Sequence, residues 1–449
     1  MANIILHLDN GDTITLTNKT DHEKLLDQYE NTLITKVEIT IGDIKETIYE
    51  TYSFDEDTLE VFDNLLYYDT IKEVATNLDD THDLDCFNYY PFDEDFFKLF
   101  YGRITEMVYI GDRTETKNCM KGVAMKVLVT GATGFLGKYV VEELAEQGYQ
   151  VRAFGRNLKA GRQLEGPLVE FFAGDFTREE EIFAACEGVD AVVHAGALST
   201  IWGPWEQFYQ TNVVGTKLVM EACRHFGVQR LVYISSPSVY AAPRDQLAIK
   251  EEAAPQENEL NFYIKSKLMA ERIVRSYPQV PSVILRPRGL FGIGDTSIFP
   301  RILRLSQKLA IPLIRNGQQM MDMTCVENVA FAVRLALEIP EAQGQVYNIT
   351  NGESRSFKDM LDEALDGLQV RKRYIKLPAA FLGLLAQGFE SFYRFFNIEK
   401  EPPLTLYTYY LRRYSQTLDI SAAVRDLGYQ PKLTISEGIA KYVQHYREN

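Results

Sequence analysis

A glycine-rich turn at residues 125–137 constrains this chain more than any other feature. The segment MKVLVTGATGFLG joins an apolar β-type run to the helical pattern KYVVEELAEQG through glycines at a G-x-x-G-x-x-G spacing. Gly131 allows a tight turn, Gly134 lets the backbone approach a pyrophosphate, and Gly137 lets the helix pack on the strand. Because helix N-termini attract phosphate, this order predicts a dinucleotide site. The other turn residues that we expect to contact the dinucleotide are Thr133, Phe135 and Leu136.

Downstream of this turn, short apolar strands alternate with amphipathic helices as far as about residue 290. The strand-type segments are MKVLVTG, QVRAFGR, VEFFAGD, DAVVHAG, RLVYISS and SVILRPRG. Nearly continuous apolar strands are typical of a parallel sheet that is covered on both faces. The pattern therefore predicts an α/β fold with a doubly wound parallel Rossmann sheet over about residues 125–290. Residues 291–449 are expected to form mainly a small C-terminal substrate lobe.

The charge distribution separates the first quarter of the chain from the rest. Residues 1–118 hold 27 Asp/Glu against 9 Lys/Arg, a balance of −18, whereas the whole chain carries −16. The remainder is therefore close to neutral. We predict a separate small acidic α+β domain over residues 1–118 and a linker over residues 119–124.

Turn signals outline the elements of this acidic domain. Asn10-Gly11 predicts a β-hairpin because both residues tolerate positive φ, and a second hairpin is expected to turn near Gly42-Asp43. The pattern also predicts helices over residues 21–30 and 55–74, then a segment of mixed acids and aromatics over residues 79–100. A last strand is expected over residues 103–111.

Composition narrows the class of protein further. A chain of 449 residues with 46% hydrophobic and 24% charged residues can bury several cores without disulfides. Its five cysteines are scattered and show no C-x-x-C spacing, so neither a disulfide framework nor a metal site is expected. The sequence has no signal-peptide pattern and no run of 18 apolar residues. These observations favour a cytoplasmic protein.

Three motifs in order resemble those of one enzyme family. TGATGFLG, the serine segment SSPSVY at residues 235–240 and the Y-x-x-x-K pair Tyr263 and Lys267 resemble an extended short-chain dehydrogenase/reductase over residues 125–449. The resemblance implies that Tyr263 is the catalytic acid/base and that Lys267 holds the nicotinamide ribose and lowers the tyrosine pKa. It also implies that a serine, Ser236, binds the substrate oxygen.

Elementary physics supports these roles. The i, i+4 spacing puts Tyr263 and Lys267 on one helix face. A tyrosine of pKa about 10 must be stabilised as the anion by about 4 kcal/mol to act near neutrality, and an ammonium about 4 Å away contributes about that much. Ser236 ends a predicted strand, where open α/β sheets bind ligands. Ser235 and Ser238 are its alternatives.

The family resemblance extends to further positions. Asp175 and Phe176 resemble an acid-apolar pair that contacts adenine, and Asn212 resembles a helix asparagine that braces the site. Pro287 resembles a loop residue beside the nicotinamide. The small-residue turn that lets the cofactor pass close to the backbone is expected at Ala195, Gly196 and Ala197.

The end of the second strand indicates which dinucleotide binds. NAD users of the family place an acid here, but this chain has Gly155 followed by Arg156. An arginine can pair with the 2′-phosphate of NADP, which a carboxylate would repel. We therefore expect NADP as the preferred cofactor, with NAD as the alternative if Arg156 is only a solvated surface residue.

The C-terminal region bears on the substrate. Three successive features resemble the 3β-hydroxysteroid dehydrogenase-like branch of the family. They are an apolar helix that begins with a proline over residues 377–396, a basic-aromatic run, and the closing motif D-x-S-x-A-x-x-x-L-G-Y. The apolar face of this helix could pack in the core, form a lid over an apolar substrate or contact a membrane surface. The small number of basic residues disfavours the membrane contact. We expect a bulky, largely apolar alcohol or ketone as the substrate. The alternative is a nucleotide-sugar epimerase, which shares the core; Ser236-Pro237-Ser238 disfavours a dehydratase, which typically has Thr-Asp-Glu there.

The acidic domain shows no nucleophile, metal cluster or glycine-rich loop. In composition it resembles small phage proteins that mimic DNA to block nucleases, since DNA carries one charge per about 1.7 Å. This hypothesis requires salt-dependent binding of residues 1–118 to a basic DNA-processing protein. The alternatives are a solvated domain for solubility or subunit contact, and an accidental fusion in front of Met120 or Met125. We expect a small-molecule substrate and no direct binding of nucleic acid, and a homodimer stays open.

Overall fold

The chain divides into two units, Met1–Val123 and Ala124–Asn449. The structure is a computed structural model. It describes residues 3–8, 10, 12–16, 25, 28–29, 33–41, 44–48, 52–53, 125–295, 299–300 and 310–448.

An antiparallel sheet is the described part of the first unit. Its strand order is β2-β1-β3-β4, and β5 pairs with β3. Ile4, Leu6 and Leu8 alternate with more exposed residues and bury one face of β1. The strands are β1 (Asn3–Leu8), β2 (Thr13–Leu16), β3 (Leu33–Ile41), β4 (Ile44–Ile48) and β5 (Tyr52–Ser53).

Both predicted hairpins match paired strands. His7 pairs with Thr13 on either side of the Asn10-Gly11 turn, and Ile41 pairs with Ile44 in the second hairpin. The predicted helices, the acidic-aromatic segment, the strand over residues 103–111 and the linker lie wholly or mostly outside the described residues. The acidic α+β domain therefore stays a prediction.

A seven-stranded parallel sheet forms the centre of the second unit. Its strand order is β17-β12-β10-β9-β6-β7-β8. The predicted doubly wound α/β fold is confirmed. The strands are β6 (Lys126–Thr130), β7 (Gln150–Gly155), β8 (Val169–Ala173), β9 (Ala191–His194), β10 (Arg230–Ile234), β12 (Ser282–Pro287) and β17 (Val346–Ile349).

Helices cover both faces of this sheet. Along β6, Val127 and Val129 face one apolar core, whereas Leu128 faces the other. This explains why the strands are apolar almost throughout. The helices are α1 (Phe135–Glu146), α2 (Leu158–Arg162), α3 (Glu179–Cys186), α4 (Trp205–Phe208), α5 (Gly215–His225), α6 (Phe262–Arg275) and α7 (Val326–Glu338), with a π turn (Tyr209–Val214) between α4 and α5.

The strand order reverses beside β6. The chain proceeds from β6 through β7 to β8 on one side, and then from β9 through β10 to β12 on the other. At such a switch point the loops after neighbouring strands diverge and leave a crevice at the carboxyl edge of the sheet.

The parallel sheet takes one of its strands from beyond residue 290. Strand β17 (Val346–Ile349) pairs with β12, and helix α7 packs its Val329 and Val333 into the core against the sheet. The strand VYNI is too short to be assigned from its own pattern, because its burial depends on a partner about 60 residues earlier.

Short strands and five helices make up the C-terminal lobe within the described residues. Strand Gln246–Ile249, from the sheet domain, joins the lobe sheet in the order β11-β20-β15-β18. The strands are β11 (Gln246–Ile249), β13 (Leu290–Phe291), β14 (Ile311–Leu313), β15 (Met320–Asp322), β16 (Thr324–Cys325), β18 (Ser354–Ser356), β19 (Tyr374–Lys376) and β20 (Gln416–Leu418). The helices are α8 (Phe357–Gly367), α9 (Ala379–Phe395), α10 (Leu406–Arg413), α11 (Ser421–Leu427) and α12 (Ile435–Glu448).

Helix α9 leaves most of its large apolar side chains exposed, so core packing does not account for its apolar face. The buried side chains are Leu382, Ala386 and Glu390. The Glu390 carboxylate accepts a hydrogen bond from the backbone N–H of Leu406 at 2.6 Å, which explains how an acid can occupy the inner face. The large apolar side chains at the outer face are Phe381, Leu384, Leu385, Phe392, Phe395 and Phe396, all exposed.

The packing of α1 on β6 predicts that Gly137 tolerates no side chain. A Cβ at this position would lie 2.1 Å from the carbonyl oxygen of Gly131 and 2.8 Å from the Cα of Ala132. We expect Gly137→Ala to lower the free energy of unfolding by about 1–3 kcal/mol, the usual effect of overpacking. Urea unfolding followed by tryptophan fluorescence measures it. A Cβ at Gly166 meets nothing within 4 Å, so Gly166→Ala is the control, and equal stability of the two variants would contradict this packing.

Candidate active site

A cleft of about 1230 Å³ opens at the carboxyl edge of the parallel sheet, where the strand order reverses. It continues into the C-terminal lobe. Of the predicted site residues, Asp175 and Asn212 do not line it. The predicted residues that do are Gly131, Thr133, Gly134, Phe135, Leu136, Gly137, Arg156, Phe176, Ala195, Gly196, Ala197, Ser236, Tyr263, Lys267 and Pro287.

The glycine turn forms one wall of this cleft. Gly131 has φ +70°, and a Cβ there would lie 2.7 Å from the Cα of Gly196 in the loop after β9. Gly134 is the N-cap of α1 and has no side chain to cap the first turn of the helix. The backbone N–H groups at this end therefore face the cleft without a side-chain acceptor, as a pyrophosphate site requires. The residues present fit a dinucleotide.

A buried histidine at the end of β9, His194, connects this strand to β6 and α5 behind the glycine turn. Thr130 Oγ1 lies 2.7 Å from His194 Nδ1, and Thr216 Oγ1 lies 3.1 Å from His194 Nε2. Thr216 donates to the carbonyl of Asn212, so the hydrogen-bond network assigns the His194 proton to Nε2. Burial lowers the pKa of His194 to about 3 and keeps it neutral. The sequence signal was a polar residue ending the apolar run AVVH.

Asn212 and Asp175 support the cleft from outside its wall. Asn212 accepts a hydrogen bond from the backbone N–H of Leu198 at 2.7 Å and donates to the Ser266 hydroxyl at 2.9 Å. It thus ties the loop after β9 to helix α6. Asp175 accepts hydrogen bonds from the backbone N–H and hydroxyl of Thr177, which turns the chain after β8.

Phe176 lies between two glycines. A Cβ at Gly196 would lie 2.5 Å from its ring, and one at Gly215 would lie 2.6 Å away. The ring also meets the edge of His194, with centroids 5.2 Å apart. The small residues at these positions are therefore needed for the ring to reach the cleft.

Ser236 and Tyr263 meet at the end of β10. Ser236 is the N-cap of the short helix Pro237–Tyr240: its hydroxyl accepts a hydrogen bond from the Ser238 backbone N–H and donates one to the Ser238 hydroxyl. Burial raises the pKa of Tyr263, and a hydrogen bond with Ser236 offsets part of that rise.

Lys267 departs from its predicted electrostatic effect. Its Nζ donates to the carbonyl of Ile234 at 2.7 Å and lies 4.5 Å from the ring centroid of Tyr233. Burial lowers the pKa of Lys267 to about 7, although the charge of Glu271 opposes this. The expected lowering of the Tyr263 pKa by this ammonium is not found, because burial dominates both groups.

A buried ion pair fixes the helix that carries Tyr263 and Lys267. Glu271, one turn after Lys267, accepts from Arg286 Nε at 2.8 Å and from Nη2 at 2.6 Å. It also accepts from the Ser235 hydroxyl at 2.5 Å. Burial alone would raise the pKa of Glu271, but Arg286 more than offsets this and holds it below its ordinary value.

The same network reaches the edge strand of the sheet. Arg286 Nη1 donates to the hydroxyl of Tyr240, which in turn donates to Asn348 Oδ1 at 2.8 Å. These contacts join β12, β17, α6 and the segment after Ser236. Sequence reasoning missed both Glu271 and Arg286. The available signal was the repetition of polar residues every four positions along α6, from Tyr263 through Lys267 to Glu271.

Arg156 lies at the end of β7 and extends into solvent beside the cleft. Its side chain is 78% exposed, and its Nη1 lies 3.4 Å from the Asp175 carboxylate. This weak contact leaves most of the guanidinium donors free for a ligand.

The lobe end of the cleft is mostly apolar. Met323 is buried and Met321 half-buried, and both belong to the segment at β15. The polar residues that interrupt this apolar lining are Arg288, Asp295, Asp322, Tyr407, Thr408 and Arg412. The apolar side chains of this wall are Phe299, Met321, Met323, Phe357, Met360, Leu361 and Leu411.

Comparison with known proteins decides the family. Residues 127–350 match the model of the NAD dependent epimerase/dehydratase family. A 2-alkyl-3-oxoalkanoate reductase of Stenotrophomonas maltophilia is 32% identical over 328 residues, covering 71% of this chain and 98% of the relative. The chain belongs to this family. The predicted resemblance to extended short-chain dehydrogenases of the 3β-hydroxysteroid dehydrogenase-like kind is thereby confirmed, and the second unit is an NAD(P)-dependent enzyme.

Other relatives extend the comparison. Uncharacterized protein YbjS of Escherichia coli is 35% identical over 72% of this chain and 98% of its own length. The decarboxylating sterol-4-alpha-carboxylate 3-dehydrogenase of Mus musculus is 29% identical over 77% of this chain and 95% of its own. Among solved structures, MoeE5 in complex with UDP-glucuronic acid and NAD has a TM-score of 0.57 at 23% identity, covering 72% and 99%. This last likeness shows the fold.

Among the described residues, the helices are too short or too polar to cross a bilayer.

The lowered pKa of Lys267 predicts a pH-dependent stability of the cofactor-free enzyme. An unfolded lysine keeps its proton up to about pH 10, whereas folded Lys267 releases it near pH 7. The unfolded chain therefore binds more protons between these values, and the free energy of unfolding rises with pH. Between pH 7 and 9 we expect a rise of about 1–3 kcal/mol that Lys267→Met lacks.

Tryptophan fluorescence during urea unfolding measures this difference, because both tryptophans, Trp202 and Trp205, belong to this unit. Lys217→Met, at an exposed lysine of α5, is the control and should keep the wild-type slope. Equal slopes for Lys267→Met and the wild type would show that Lys267 titrates as an ordinary lysine.

Proposed function

We propose that this enzyme is an NADP-dependent oxidoreductase acting on an alcohol or ketone of a bulky, largely apolar substrate. The observation that carries the proposal is the apolar, methionine-rich wall that shares one cleft with Ser236 and Tyr263. Flexible methionine side chains adapt to bulky apolar ligands. A sugar nucleotide would instead need many polar groups along the same wall.

The named relatives support this substrate type. The names 2-alkyl-3-oxoalkanoate reductase and sterol-4-alpha-carboxylate 3-dehydrogenase both describe a reaction at a carbon-bound oxygen on an apolar skeleton. Alkyl chains and sterols would both fit an apolar wall.

The catalytic roles that the resemblance implies would fall to residues that line the cleft. A bound nicotinamide supplies or accepts the hydride. In the reducing direction the Tyr263 hydroxyl donates its proton to the substrate oxygen, while the Ser236 hydroxyl orients that oxygen by a hydrogen bond. Lys267, one helical turn from Tyr263, would hold the nicotinamide ribose. The ion pair beneath them, Glu271 with Arg286, keeps this helix face in position.

The preference for NADP rests on Arg156. Gly155, Arg156 and Asn157 line the cleft at the end of β7, and none of them is an acid. The exposed guanidinium can form charge-assisted hydrogen bonds with a 2′-phosphate. NAD would gain nothing from this contact.

The proposed role of Tyr263 as proton donor predicts that Tyr263→Phe is slow. We expect kcat to fall roughly 10²- to 10⁴-fold, because the proton donor is lost. The dissociation constant for NADPH, measured by fluorescence, should change little. NADPH oxidation with a 2-alkyl-3-oxoalkanoate measures the rate.

Tyr446→Phe, at an exposed tyrosine of the C-terminal helix, provides the matched control and should retain wild-type kcat. An unchanged kcat in Tyr263→Phe would remove Tyr263 from the mechanism. A protein that interconverts nucleotide-sugar epimers without net consumption of NADPH would overturn the reductase in favour of the epimerase.

The assignment of Arg156 predicts a change in cofactor preference. We expect Arg156→Gln to weaken NADPH binding roughly 10- to 100-fold and to leave NADH binding within about threefold. Titration of tryptophan fluorescence with each cofactor measures both constants. Arg178→Gln removes a similarly exposed arginine after β8 that does not line the cleft, and it should change neither constant. Equal weakening of both cofactors would contradict a 2′-phosphate contact.

A further inference from the structure

A buried arginine lies at the entrance from the nicotinamide side of the cleft to the apolar lobe. Arg288 follows the last residue of β12 and is only 5% exposed. Its backbone N–H donates to the carbonyl of Ile349 at 3.1 Å, and its own carbonyl accepts from the Thr324 hydroxyl at 2.5 Å. The chain then turns at Gly289, which has φ +58°. The backbone of Arg288 is therefore held on both sides.

The guanidinium of Arg288 has fewer partners than its burial requires. Its Nη1 donates to Gln416 Oε1, a neutral acceptor. Within the described part of the chain it forms no ion pair, and its Nε has no hydrogen-bond partner. Six buried side-chain atoms lack a partner there, and only Arg288 Nε belongs to a residue that lines the cleft.

The acid that acts on Arg288, Asp322, does not neutralise it. Asp322 also lines the cleft, but its carboxylate accepts from the Ser354 hydroxyl and the Leu418 backbone N–H, both at 2.6 Å. Burial lowers the pKa of Arg288, although Tyr407 and Asp322 oppose this shift. Burial also disfavours the charged form of Asp322 and raises its pKa. The environment therefore leaves a desolvated cation without a full counter-charge.

A buried charge without a partner is costly, and a ligand anion would remove that cost. A guanidinium presents paired donors that match a carboxylate. We propose that Arg288 binds a carboxylate of the substrate, which makes the substrate class a 3-oxo or 3-hydroxy acid with an apolar branch. This inference rests on the proposed oxidoreductase function.

Tyr407 links Arg288 to the proposed catalytic tyrosine. This tyrosine of α10 lines the same cleft, and its phenol is within electrostatic range of both Arg288 and Tyr263. Arg288 and Tyr263 therefore both lie in the surroundings of one side chain. A substrate with its reacting oxygen at Tyr263 and its carboxylate at Arg288 needs only a short spacing between the two groups, as in a 3-oxo acid.

Arg412 is a second arginine of the cleft that could bind the substrate carboxylate. It also lines the cleft, but it belongs to the last turn of α10 and is half-buried, where water can solvate it. An anion gains less from a solvated cation than from a desolvated one. The two arginines therefore provide a matched pair of variants.

Oxidation of a 2-alkyl-3-hydroxydecanoic acid and of its methyl ester with NADP⁺ tests the inference. The ester keeps the apolar skeleton and the reacting hydroxyl but lacks the charge. For the wild type we expect kcat/KM to favour the acid roughly 100-fold, mainly through KM. Arg288→Gln should lose this preference while it retains turnover of the ester, Arg288→Lys should keep part of it, and Arg412→Gln should keep all of it.

The outcomes distinguish a failure of the proposed function from a failure of the role proposed for Arg288. Turnover of neither compound by the wild type overturns the proposed function for this substrate class. Turnover of acid and ester at similar kcat/KM by the wild type overturns only the role of Arg288. The same holds if Arg288→Gln keeps the preference for the acid, or if only Arg412→Gln loses it. A variant that is merely damaged would lose acid and ester activity together, and NADPH binding by Arg288→Gln confirms its folding.

Discussion

The close approach of two loops at the sheet reversal is the constraint on which the rest of the site depends. The turn at Gly131 and the loop at Gly196 come so near that a Cβ on the first would lie 2.7 Å from the Cα of the second. Only glycine at positive φ allows this approach at the first position. The loops then diverge outward, and the crevice between them becomes the cleft that Ser236, Tyr263 and Lys267 line.

The second requirement is a fixed helix beside that crevice. Tyr263 and Lys267 are desolvated, so their pKa values depend on what lies behind them rather than on their spacing alone. The ion pair of Glu271 with Arg286 places a buried negative charge one turn beyond Lys267. That charge limits how far burial can lower the lysine pKa. Packing and electrostatics at this site are therefore set by the same residues.

Much of the fold and of the cofactor site could be predicted from local patterns. The strand, turn and helix at residues 125–146 are read within one short segment, and six of the seven parallel strands are apolar over most of their length. The seventh, Val346–Ile349, could not be found in this way, because only its pairing with β12 identifies it. The apolar pattern of α9 did not decide which of its faces is buried, since Glu390 gains its buried partner from the start of α10.

The sequence by itself determined the type of enzyme, because its glycine turn, its serine and its Y-x-x-x-K pair follow one another as in a known family. Only the tertiary structure decided the electrostatics and the shape of the substrate end. Arg288 lies far along the chain from Asp322 and Tyr407, yet all three line one cleft, and Arg288 Nη1 donates to the likewise distant Gln416. A residue's burial and its lack of a counter-charge depend on such distant neighbours, so no pattern in the sequence contains them.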